Sequence, residues 1–288
     1  MYKLLNASFS RLRKNKIFLG LVILTIIIAA FMLISEYLDK VKYSSVFGIS
    51  SNTTDILLTN FINIIGFFIA IFTSLFVGAE YSDGTIRNKI VAGHSRKNIY
   101  LSNLIVSIIV GLILEFIYLI IISIVAIPLF GSIQMTFSQF AFILLDMIMI
   151  IIAYSSIFNF IALICSNITI STVSSLLLIL IMFVIDMLLS PTANSTEYIQ
   201  KNKVMDEQGN ITYEIVKNED YLGKIIQTTC KTIINFNPVS QAIEISGNKI
   251  NMNEEDFNNM KVYPLYSLGL IIIITAIGIY LFNIKELK

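Results

Sequence analysis

Apolar positions in this chain come in long unbroken runs, with polar residues confined to the gaps between them. Six runs reach the roughly 20 residues that a helix needs to cross the hydrocarbon of a bilayer: 17–35, 56–79, 102–130, 137–164, 169–190 and 264–283. Their continuous apolarity, without in-out alternation, predicts helices rather than barrel strands. A short turn, "FGSIQM", joins the third and fourth runs just after Pro128, and "CSNIT" joins the fourth and fifth. Pro264 opens the sixth at a first-turn position, where its missing N–H costs nothing. The predicted fold is an all-α integral membrane protein of six transmembrane helices, with a small α+β segment at 191–263 between the fifth and sixth.

Residues 1–16 follow a different pattern. Tyr2, Leu5, Phe9 and Leu12 recur at helical spacing, with basic residues elsewhere around the helix and after it. This predicts an amphipathic helix in the membrane interface, its cations near anionic headgroups. A positive flank that merely sets topology is the simpler alternative. The segment is longer, more amphipathic and more basic than a signal-peptide n-region, and no small-residue cleavage site follows, so the first span is expected to be retained.

Composition sharpens the membrane reading. Hydrophobic residues make up 56% and charged residues 14% of the 288-residue chain, against about a quarter charged in soluble domains. No lysine or arginine occurs between Asn98 and Gln200. The N-terminal segment, the 80–101 loop and the C-terminal tail at 284–288 together hold eleven cations, against Lys40 and Lys42 in the opposite short loops. The positive-inside rule therefore puts both termini and the 80–101 loop in the cytoplasm and 191–263 outside. Cys165 and Cys230 then fall on opposite sides of the bilayer, which excludes a disulfide between them.

The 80–101 loop is much longer than the other tight turns. Ser82 and Asp83 suit a helix start, and Thr85 through Ala92 is helix-compatible, ending at Gly93. A short helix with Ile86 and Ile90 on one side, and Arg87 and Lys89 among its cations, would form a knob suited to docking in a partner's groove. The stretch "GAEYSDGTIRNKIVAGHSRKNIYLSN" resembles the segment between the second and third spans of ABC-2 type transporter permeases. In that family an acidic residue, a Gly-Thr pair and a Ser-Arg pair recur around a coupling helix; here these would be Glu80, Gly84-Thr85 and Ser95-Arg96. The resemblance extends in outline over the whole chain. It implies a bacterial cell-membrane permease subunit, multi-pass, paired with a second permease copy, identical or paralogous, and with a cytoplasmic ABC ATPase subunit. ATP and Mg²⁺ would sit on that partner, because this chain has no G-x-x-x-x-G-K-[ST] phosphate loop. The competing reading is a topogenic loop of an unrelated six-span protein.

No catalytic or metal constellation is evident, and the single histidine, His94, reads as a loop residue. No cofactor of the chain's own and no nucleic-acid partner are expected. Three acids fall inside predicted spans: Glu115, Asp146 and Asp186. A charge at mid-bilayer costs about 2.5–3.5 kcal/mol even on the lenient insertion scale, so these acids should avoid lipid. Glu115 lies about 20 Å beyond Ser102, and Asp146 about 13 Å deep from the opposite side. Glu115 shares a helical face with Ser107, Gly111 and Tyr118, a stripe expected to face protein. The acids read either as a polar lining in the outer half of a pathway or as protonated groups bonded to neighbouring helices.

In the 191–263 segment, alternation on both sides of Gly209-Asn210 predicts a β-hairpin. A helix follows with Leu222, Ile225, Ile226, Thr229 and Ile233 on one face, and another starts at Asn237-Pro238. Taken together, the expectation is an exporter permease whose cargo is an amphipathic, antimicrobial or toxin peptide. A drug or lipid exporter is the alternative within the class, and a membrane sensor or scaffold the alternative outside it.

Overall fold

A computed structural model of the chain describes residues 1–47, 53–205, 211–247, 257 and 260–286. The elements are α1 (Tyr2–Arg13), α2 (Lys16–Phe47), α3 (Thr53–Asn60), α4 (Ile62–Ser82), α5 (Thr85–Val91), α6 (Arg96–Phe130), α7 (Phe137–Cys165), α8 (Ile168–Ala193), β1 (Tyr198–Met205), β2 (Ile211–Lys217), α9 (Lys224–Phe236), α10 (Pro238–Ser246) and α11 (Tyr263–Ile284). Among the described residues, six helices are long and apolar enough to cross a membrane. The architecture is that of a multi-pass, mainly helical membrane protein.

Two spans depart from their expected limits. The second is the pair α3–α4, with a turn at Phe61 that keeps helical φ and ψ. The third, α6, starts at Arg96 and runs 35 residues. At 1.5 Å per residue it is about 50 Å long, well beyond the ~30 Å hydrocarbon. The charged loop is therefore partly the first turns of α6 itself, started by Ser95, whose hydroxyl accepts from the Asn98 N–H.

The interior is built mainly from α4, α6 and α7, with Phe72, Phe76, Tyr118, Tyr154 and Phe158 all buried. Lipid gives helices no hydrophobic reason to associate, so close packing must supply the attraction, and small residues permit it. A Cβ on Gly111 of α6 would stand 2.7 Å from Ile151 of α7 and 3.0 Å from Ile69 of α4. By contrast α2, α8 and α11 leave apolar side chains such as Phe31, Val173, Leu177, Val184 and Ile272 outward, as lipid-facing helices do.

At the end of the bundle away from α1 and α5, Asp55 holds the turn between α6 and α7. Its carboxylate accepts from the Gln134 N–H at 3.1 and 3.2 Å, and Thr54 Oγ1 donates to the Gly131 carbonyl. Thr136 and Gln139 then form a reciprocal cap at the start of α7. Asn237 caps α10, with Pro238 in its first turn, as the sequence suggests. The sequence does not suggest where α10 goes. It is buried among spans: Asn237 Nδ2 donates to the Met182 carbonyl of α8, Ser246 Oγ accepts from Asn63 of α4, and Gln241 Oε1 accepts from Ser267 of α11. The expected apolar face of α9 points outward, while Cys230 and Ile234 pack on Ala193 and Leu189 of α8. β1 and β2 pair antiparallel from Tyr198 opposite Lys217 to Met205 opposite Ile211. The Gly209-Asn210 turn between them lies outside the described residues.

Candidate functional site

Glu80 stands two residues before the end of α4 and is 0% exposed. Its Oε1 accepts from Arg11 Nη1 at 2.6 Å and from Lys89 Nζ at 2.5 Å, and its Oε2 accepts from Asn103 Nδ2 at 3.0 Å. Thr85 Oγ1 donates to the Glu80 carbonyl at 2.9 Å. One carboxylate thereby ties together α1, α4, α5 and α6. Arg11 adds a second bond, from Nη2 to the Phe76 carbonyl at 2.6 Å, and its guanidinium carbon lies 3.8 Å from the Phe76 ring centre. Dehydrating such a charge is costly unless the geometry and the remaining hydrogen bonds are good. Here both oxygens are satisfied, so no one of the four helices can shift alone without breaking a bond to the buried carboxylate.

The local sequence explains how Lys89 reaches Glu80. Gly84, at φ +65°, both ends α4 and starts α5, a left-handed conformation that costs side-chain-bearing residues about 1–2 kcal/mol. Ser82 and Asp83 finish α4 instead of capping α5, and both are exposed. Gly93, at φ +85°, ends α5 as expected, with His94 N–H donating to the Lys89 carbonyl.

The face assignment of α5 is reversed from the sequence expectation. Ile86 is 2% exposed and Ile90 is half-buried, both turned toward the bundle. A seven-residue helix has one apolar stripe and little packing of its own, so that stripe is spent holding it down. What faces outward is Arg87, Asn88, Ala92 and Val91, the last 81% exposed. Helix α1 shows a similar change. Leu4, Ser8 and Leu12 form its buried face, with Ser8 Oγ 3.3 Å from Ser102 Oγ of α6, while Tyr2 points away.

A second set of contacts locks the same end. Arg96 Nη1, at the start of α6, donates to the carbonyls of Phe282, Asn283 and Lys285 at the end of α11. Lys285 Nζ in turn donates to the carbonyls of Leu163 and Ile164 at the end of α7, and to Ser166 Oγ. Tyr81 O–H also donates to the Leu163 carbonyl, at 2.6 Å. Cations at helix C-termini satisfy orphan carbonyls and oppose the negative end of the dipole. Removal from water pushes the Lys285 amine below its ordinary pKa, with Cys165 alongside acting in the opposite direction.

The three acids of the spans are not gathered into one lining. Glu115 is 5% exposed, on the same buried face as Ser107, Gly111 and Tyr118. With its carboxyl oxygens buried, it borders an apolar cleft of about 830 Å³ between α6 and α7, whose lining includes neither Asp146 nor Asp186. Asp146 is 1% exposed within the bundle. Both oxygens of Glu115 and both of Asp146 lack a hydrogen-bond partner among the described residues. Asp186 is half-buried on α8.

Sequence reasoning treated Arg11 and Lys285 as topogenic cations and gave Asn103 and Asp55 no structural role. A polar residue such as Asn103 inside an apolar run was the available signal. Arg11 also lies one turn after Ser8 and two after Leu4, on the face that docks. Among the described residues no three His, Cys, Asp or Glu side chains converge as metal ligands would. No protein-family model matches the chain, and no curated protein matches it.

Proposed function

We propose that the chain is the membrane subunit of an ATP-driven ABC exporter, working as a dimer with a separate cytoplasmic ATPase that binds the ATP and Mg²⁺. The observation that carries this reading is the Glu80 junction: a short helix with an exposed face is bonded through one buried carboxylate to three other helices. A push on the Arg87–Val91 face of α5 would pass through Lys89 and Thr85 to Glu80, and from there to α1 and α6. Arg96 and Lys285 would carry it on to the ends of α11 and α7. The cytoplasmic placement of this end rests on the cation count of the short loops. The mainly apolar spans suit an amphipathic or antimicrobial peptide or toxin as cargo, leaving through or from the bilayer. The buried α10 would serve as a plug at the outer end.

The test is co-expression with an ABC ATPase encoded beside the gene, followed by co-purification and ATPase assay. Arg87→Glu with Val91→Asp changes only exposed residues of α5 and should release the ATPase while the chain remains monodisperse. Lys89→Met should leave the ATPase bound but weaken stimulation by cargo. An ATPase that binds the Arg87→Glu/Val91→Asp variant as tightly as the wild type would sink the proposal.

A further inference from the structure

The cleft between α6 and α7 has an uneven chemistry. Its lining is aliphatic and aromatic, including Phe116, Leu119, Ile120, Phe140 and Ile148, and its polar side chains are Glu115 and Ser123. Phe116, Ile120 and Ile148 are exposed on the outer surface of spans, so the cleft opens sideways toward lipid. Glu115 is buried and neither of its oxygens has a partner among the described residues. No lysine or arginine occurs on α7 or α8, and on α6 the cations are confined to its first two residues, Arg96 and Lys97. From Lys97 to Glu115 is about 27 Å along the helix. Lys40, near the other end of α6, is engaged with the Leu129 carbonyl and lies 5.5 Å from the Phe130 ring centre. Among the described residues Glu115 thus borders an apolar pocket and has no cation partner.

A buried carboxyl without a partner is unfavourable in proportion to what a partner would restore. An acyl chain fills such a cleft but leaves both oxygens unpaired. We propose that the α6–α7 cleft is a lateral binding site for an amphiphilic amine. Its apolar body would lie along Leu119, Ile120 and Ile148, and its ammonium would donate to Glu115. Charge complementarity selects this occupant over a neutral lipid tail. The proposal does not depend on any ATPase, so binding is read on the chain alone.

The chain has no tryptophan, so Phe116→Trp places a single emitter in the cleft. In phosphatidylcholine nanodiscs, energy transfer is measured from this tryptophan to a decylamine carrying a dansyl group at its far end, and to the N-acetylated, neutral form of the same probe. The amine should give saturable transfer that unlabelled decylamine displaces and decanol does not. Adding Glu115→Gln should weaken it at least tenfold, about 1.4 kcal/mol. Ile148→Phe fills the cleft from α7 without touching the carboxyl and should also abolish saturation, which covers the case that the Glu115 variant fails to fold. Equal transfer to the amine and neutral probes, or no loss with either variant, would mean that the cleft holds only acyl chains and would overturn the proposal.

Discussion

Glu80 and Glu115 are both buried, one at the end of α4 and the other in the middle of α6, and their surroundings are opposite. Glu80 receives Arg11, Lys89 and Asn103, so each oxygen is bonded and its charge is paired. Glu115 borders an apolar cleft that opens toward lipid, and its buried oxygens have no partner among the described residues. Burial alone says nothing of a carboxylate's task. A fully satisfied one is a fastener that resists rearrangement, whereas an unsatisfied one is a vacancy that a partner can fill. The junction and the cleft divide these two roles between the ends and the middle of the same bundle.

The strongest test of that contrast is to remove the fastener. Glu80→Ala strands Arg11 and Lys89 and should lower the stability of the detergent-purified chain by about 3–5 kcal/mol, seen as a large fall in thermal midpoint. Replacing the whole set (Glu80→Leu, Arg11→Met, Lys89→Met) should recover most of that loss, because no charge is then left unpaired. Recovery with loss of coupling to the ATPase would separate stability from transmission. A smaller effect is expected where α6 meets α4 and α7: Gly111→Ala forces Ile151 or Ile69 aside and should cost about 1–3 kcal/mol by the same melt. Asp55→Ala removes the acceptor for the Gln134 N–H and should cost about 1–2 kcal/mol, with increased proteolysis at the 131–136 turn as the independent readout. Glu115→Gln should be the mildest, neutral to stabilising and within about 1 kcal/mol, since it removes no bond the protein makes for itself. A melt in which Glu115→Gln costs as much as Glu80→Ala would erase the distinction.

Much of the frame was legible in the order of residues. The six apolar runs became the six long helices, Gly93 ended α5, Asn237 and Pro238 began α10, and the Ser107–Tyr118 stripe was buried. Each of these follows from a local rule: apolar length, a left-handed glycine, a side-chain cap, a helical repeat. Beside the shifted start of α6 and the caps expected of Ser82 and Asp83, the larger errors concern direction. The Ile86–Ile90 stripe was read as facing a partner and instead faces the bundle, and α1 turned a different face inward from the one its apolar spacing suggested. Periodicity tells which residues share a face, but not what that face meets.

The sequence by itself determined that this chain forms six helices long and apolar enough to cross a membrane, and that an acid stands beside a short basic helix. Only the tertiary structure decided that Glu80 binds Arg11 from 69 positions away, that Lys285 closes the end of α7, that α10 enters the bundle, and that Glu115 is left without a partner among the described residues. The reason is physical. Helix formation in an apolar run satisfies the backbone within a few residues, so it is written locally. The satisfaction of a buried charge depends on which distant groups packing brings within about 3 Å, and no local pattern specifies that.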